Sequence, residues 1–206
     1  MESRISHNFT DLSHIEDSRL SGSEVWPIRG DLATAEQVRE ILHKARGLSR
    51  RRDCFQKSLL AHQVLGGGLV TVGGVIILGR ESDYIGCGCD FRLDESTGLF
   101  TGVDFHSWLM FDAGVVDIAL GGWMEWGTLS GALKGREPFV LAGLPPAWVL
   151  YLPQAAWSCT FDGDEAKLTM VMGPGGISPS RLRALAEEVM SGRFRRPWDF
   201  SGVFFL

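Results

Sequence analysis

The chain has 206 residues, 45% of them hydrophobic and 22% charged, a balance that supports one substantial core and excludes wholesale disorder. A formal net charge of -5 gives no reason to expect nucleic acid as a general partner, which would call for a basic face. No apolar run reaches the ~18 residues of a membrane span, and no cationic segment followed by an apolar stretch opens the chain, so no membrane partner is expected either.

Two short basic clusters, Arg50-Arg51-Arg52 and Arg193-Phe194-Arg195-Arg196, read as solvated surface. The four cysteines, Cys54, Cys87, Cys89 and Cys159, are too sparse for a disulfide framework. They suit a reducing, cytoplasmic location, although a protein exported without a cleaved signal would carry the same pattern.

Residues Met1–Gly30 are polar with no sustained period and read as a loosely attached arm, its end anchored by Trp26-Pro27. Residues 31–206 are expected to form a single domain. Thr34 and Gln37 have capping-box spacing, and Val38, Ile41, Leu42 and Ala45 make one apolar stripe, which predicts an amphipathic helix ending near Gly47. A second helix is predicted from Asp53 to Leu65, stopped by Gly66-Gly67-Gly68; Phe55, Leu59, Leu60, Ala61, Val64 and Leu65 cover more of its circumference, so it should be buried more deeply. Cys54 opens this helix, where unpaired amides and the helix dipole favour a thiolate.

Beyond the glycines the period becomes extended. Leu69–Leu78, Tyr84–Leu93, Leu99–Phe111 and Val115–Leu120 read as strands, with Asp94–Gly98 a loop. Gly121–Gly127 reads as an irregular aromatic segment, followed by strands at Trp148–Leu152 and Lys167–Met172. A last helix is expected from Ser178-Pro179 to Gly192, and an apolar tail, Pro197–Leu206, that docks on the body.

The strands either side of Asp112-Ala113-Gly114 form a predicted hairpin, with Gly114 supplying positive φ. Folding it back places His106 and Asp117 nearly opposite, offset by a residue or two, so that a carboxylate orients an imidazole. Asp104 and Asp112 stand as alternatives to Asp117. Each residue also has a structural reading: Cys54 as a small buried hydrophobe, His106 as a satisfied sheet histidine, Asp117 as a cap. Cys87-Gly88-Cys89 puts two thiols on one strand face, but no second Cys/His pair accompanies it, so packing is favoured over a metal and no cofactor is expected. His62, two turns from Cys54, reads as structural. Gly66-Gly67-Gly68 follows a helix and lacks Lys-Ser/Thr, so it reads as a helix stop instead of a phosphate loop.

A helix opening with Cys54 and carrying Leu59 and Leu60, then His106-Ser107-Trp108, then Gly114-Val115-Val116-Asp117 on the return strand, resembles the transglutaminase-like branch of the papain-like cysteine enzymes. That superfamily commonly shows His-Ala-Trp at the second position and includes transglutaminases, transglutaminase-like peptidases, lasso-peptide leader proteases and, more distantly, arylamine N-acetyltransferases. The resemblance spans Asp53 to Leu120. It implies an α+β, papain-like or transglutaminase-like fold, with N-terminal helices packed on an antiparallel sheet. It also implies a Cys54-His106-Asp117 triad that performs acyl chemistry on a peptide, protein or other amide substrate. The oxyanion would be held partly by the Cys54 amide, with Gln56 or Gln63 as possible side-chain donors. Trp108, Trp123 and Trp126 are candidate walls of a substrate pocket, against the alternative of core packing. Two other functions remain open: a non-catalytic binding module on the same fold, and acyl transfer from a cofactor thioester. Oligomeric state is left open.

Overall fold

The structure is a computed structural model that describes residues 26–48, 53–79, 84–87, 90–94, 99–129, 131, 133–172 and 184. Most of the predicted N-terminal arm, the predicted last helix and the C-terminal tail lie outside the described residues, as does Cys89. The elements in chain order are β1 (Ile28–Arg29), α1 (Ala35–Lys44), α2 (Cys54–Leu65), β2 (Leu69–Leu78), β3 (Tyr84–Cys87), β4 (Asp90–Asp94), β5 (Leu99–Asp104), β6 (His106–Phe111), β7 (Gly114–Asp117), α3 (Leu120–Leu129), β8 (Val140–Gly143), β9 (Val149–Asp162) and β10 (Glu165–Met172).

The fold is α+β. Its main sheet runs β1-β8-β7-β6-β2-β9-β10, with β3 also pairing β2, while β4 and β5 form a separate hairpin. The sheet is mixed: β1 pairs β8 in parallel, whereas the other pairings are antiparallel. The expected wholly antiparallel sheet therefore gains one parallel edge. It comes from the chain just after Trp26-Pro27, where Val140 N–H donates to Pro27 O at 3.1 Å.

Thr34 caps α1 as its spacing predicts, accepting from Gln37 N–H at 3.2 Å while the Gln37 side chain accepts from Thr34 N–H at 2.9 Å. Gly66 ends α2 in the left-handed conformation, φ 70°, and its N–H bonds His62 O. Both helices bury against the face carrying Val70, Val72, Leu109, Val116 and Ala142. The alternate residues, Val75, Trp108, Val115 and Leu141, face the other way, where Leu120 and Met124 of α3 cover them.

That third helix corrects the expectation of an irregular segment after Gly121. Three glycines and two tryptophans give Leu120–Leu129 a poor intrinsic propensity, but tertiary packing overrides it. A Cβ at Gly121 would lie 2.1 Å from the Trp26 ring, and one at Gly127 would lie 1.8 Å from Ile85 Cδ1. The glycines therefore admit neighbours to the helix surface.

Strand β2 is central, and its largely apolar run, broken by Thr71 and Gly73-Gly74, reflects burial on both faces. Its pairing with β9 shifts register between Val72 and Gly73, where Gly73 faces Pro153. Proline has no N–H for the ladder, and a bulge is where a central strand accommodates one. Gly73 fits because a Cβ there would stand 2.1 Å from Leu152 O. The same Gly73 pairs with His106 on the other side, so the irregularity borders the candidate site.

Candidate active site

Helix α2 presents Cys54 at its first residue, and the thiol, 2% exposed, rests against Phe105 O at 3.7 Å. Phe105 breaks the predicted strand Leu99–Phe111 into β5 and β6. His106 is the first residue of β6, so the thiol approaches the ring at a strand end.

The hairpin forms with Phe111 opposite Gly114. The loop is Asp112-Ala113, and Gly114, φ 147°, already belongs to β7. A Cβ at Gly114 would meet Gly143 O of β8 at 2.5 Å, so both the backbone angle and the neighbouring strand require glycine. The observed pairing of Leu109 with Val116 continues to Trp108 opposite Asp117, which puts His106 two residues along the same face. The predicted offset is realised: His106 Nε2 lies 2.6 Å from Asp117 Oδ2, with both side chains fully buried. Asp112 is exposed on the turn, and the side chain of Asp104 lies outside the described residues.

Asp117 is satisfied on both oxygens. Oδ1 accepts from Ala119 N–H at 2.9 Å and Leu120 N–H at 2.8 Å, tying the carboxylate to the start of α3. Oδ2 accepts from the Tyr151 hydroxyl at 2.6 Å in addition to His106. The burial of His106 by itself disfavours its charge. The Asp117 carboxylate beside it, and Cys54 on the same ring, outweigh that and raise its pKa from 6.5 to about 10. With Nε2 held by Asp117, Nδ1 is buried without a hydrogen bond of ordinary geometry, and it is the nitrogen left to serve the thiol.

Three aromatic rings enclose the imidazole. Trp108 and Tyr151 lie near-parallel to it at 5.9 and 6.3 Å, and Trp123 meets it edge-on at 6.2 Å. Trp108 is 0% exposed and so backs the ring from the core, with no surface open to a ligand. Trp123 is half-buried, and Trp126, 41% exposed, packs edge-on against it at 6.3 Å. The five residues Cys54, His106, Asp117, Trp108 and Trp123 are thus brought together, with Trp126 one ring farther out.

Gln56 lies in the same turn as Cys54, whereas Gln63 is nine positions on, about 13 Å along the helix axis, which removes it as an oxyanion donor. His62 bridges Gly68 O at 2.9 Å and Cys159 O at 3.0 Å, the structural part expected of it. Among the described residues no group of three or more His, Cys, Asp or Glu side chains is placed to hold a metal.

Sequence reasoning missed Tyr151, whose hydroxyl was the available signal: a tyrosine inside the apolar run Val149–Leu152 must find a buried partner. It also missed the pair Ser58 and Ser107, which links the Cys54 helix to the His106 strand.

Comparison with models of protein families, with curated proteins and with solved structures finds no match to this chain. Among the described residues no helix is long and apolar enough to cross a membrane.

Proposed function

We propose that the protein performs thiol-dependent acyl chemistry on an amide, as a peptidase, deamidase or transglutaminase-like enzyme on a papain-like or transglutaminase-like fold. The observation that carries this reading is the buried His106–Asp117 pair at 2.6 Å with Cys54 acting on the same imidazole. Cys54 as thiolate attacks the amide carbonyl carbon, forming the C–S bond. Amides at the start of α2, which have no intrahelical acceptor, receive the developing oxyanion. His106, charged at neutral pH, gives its Nδ1 proton to the leaving nitrogen as the C–N bond breaks, leaving a thioester and a free amine. Water or a second amine then attacks the thioester carbonyl as His106 takes its proton; the C–S bond breaks, Cys54 leaves as thiolate, and the product is the acid of hydrolysis or deamidation or the new amide of transamidation. Asp117 fixes the ring and stabilises its cation throughout.

The test is the pH dependence of iodoacetamide alkylation at Cys54, followed by mass spectrometry on wild type and His106→Ala. A rate that rises with a midpoint clearly below the ~8.5 of a free thiol, and returns to it in the variant, supports the triad. One observation favours a second reading, a non-catalytic module: the thiol is 2% exposed and the imidazole 0%. That reading predicts slow alkylation indifferent to His106. A reducing, cytoplasmic setting suits the first reading, because the nucleophile must stay a free thiol.

A further inference from the structure

Tyr151 stands on β9, three strands from Asp117 in the order β7-β6-β2-β9. Its ring crosses that distance over Trp108, centroids 4.8 Å apart, and ends with its hydroxyl 2.6 Å from Asp117 Oδ2. Phenylalanine would fill the same space in a fully buried strand. Burying a hydroxyl carries a desolvation cost that only a partner offsets, and the partner here is the oxygen that also takes His106 Nε2–H.

We propose that Tyr151 is a positioning residue of this site: its hydroxyl holds Asp117 Oδ2 on the imidazole and, by sharing that oxygen, sets how tightly His106 keeps its protons. The proposal rests on the acyl-transfer reading for its purpose, since a general acid that grips its proton too strongly releases it poorly to a leaving amine.

The chemistry has a definite sign. The phenol's hydrogen bond takes up part of the charge density on Oδ2. Without it, that oxygen draws the Nε2 proton more strongly and makes the imidazolium harder to discharge. Burial and the neighbouring Asp117 charge raise the Tyr151 pKa well above its ordinary value, so the residue remains a phenol and a donor. Among the described residues, the titratable groups acting on the imidazole are Cys54 from α2, Asp117 from β7 and Tyr151 from β9; α3 presents Trp123, which does not titrate.

The test follows the His106 ring nitrogens by 15N NMR against pH in the full chain, with phenylalanine or 3-fluorotyrosine in place of Tyr151. Tyr151→Phe is expected to move the His106 midpoint up by about half to one pH unit. The fluorinated ring, a stronger donor of nearly the same shape, is expected to move it down. Packing alone produces no such ordered series. A midpoint that stays put with 3-fluorotyrosine overturns the proposal even if Tyr151→Phe fails to fold. An ordered series together with Cys54 alkylation indifferent to His106→Ala leaves the Tyr151–Asp117–His106 relay standing and removes the catalytic reading alone.

Discussion

The hydroxyl of Ser107 lies 3.0 Å from that of Ser58, so the residue after His106 is bound to the turn that begins at Cys54. Ser58 also reaches Cys54 O at 2.9 Å, and Ser107 reaches Thr71 O at 2.8 Å. Two protons serve three contacts, and the shared pair registers α2 against β6. Ser107→Ala is expected to cost about 1 kcal/mol. In a double-mutant cycle with Ser58→Ala, denaturant unfolding should give a coupling of about 0.5–1 kcal/mol. Additive losses would show that the hydroxyls act independently.

Asp117→Asn keeps an oxygen for the amides of Ala119 and Leu120, but puts an uncharged group before His106 and Tyr151. The attraction that offsets the burial of the imidazole is then gone, so the His106 pKa should fall from about 10 to at or below its ordinary 6.5. Any His106-dependent alkylation of Cys54 at neutral pH should fall with it. Asp117→Ala also strips the start of α3, and its loss should reach about 3–5 kcal/mol, the cost of breaking a buried charge pair. Titration by NMR and urea unfolding check the two effects separately.

The raised His106 pKa links folding to pH. The folded state binds this proton more tightly than the unfolded chain, so the stabilisation is complete below pH 6.5 and is lost as pH rises towards about 10. Urea midpoints should therefore decline across that window in wild type. A His106→Gln variant should show a flatter profile; parallel slopes would mean that other groups control it.

Gly73→Ala adds a methyl group 2.1 Å from Leu152 O, against backbone on a central strand. The β9 bulge beside Pro153, opposite Gly73, has no slack, and overpacking of this kind costs about 1–3 kcal/mol. Because Gly73 pairs with His106, the strain should also appear as shifted His106 resonances in the folded protein, which distinguishes it from a distant defect.

Trp126 is 41% exposed and leads through Trp123 to the imidazole. Trp126→Ala should change stability by no more than about 0.5 kcal/mol, as an exposed substitution. If this ring guides substrates, the variant should react more slowly with an aromatic chloroacetamide while its rate with iodoacetamide holds. Equal rates with both probes would leave Trp126 without that part.

Local chemistry made much of this protein legible in its sequence. The Thr34 and Gln37 capping box, the glycine that ends α2, the apolar run of β2 and the hairpin that brings His106 to Asp117 all depend on residues close in the chain, where spacing dictates geometry. The tertiary structure decided the rest. Leu120–Leu129 is a helix against its own propensity because Asp117 receives its first amides and the sheet covers its apolar side. Pro153 sits in a long interior strand because β9 bulges beside it where it meets Gly73, far away in sequence. Tyr151 reaches Asp117 only because β9 lies three strands from β7, and no periodicity in a sequence encodes which distant strand will supply a hydroxyl to a buried carboxylate.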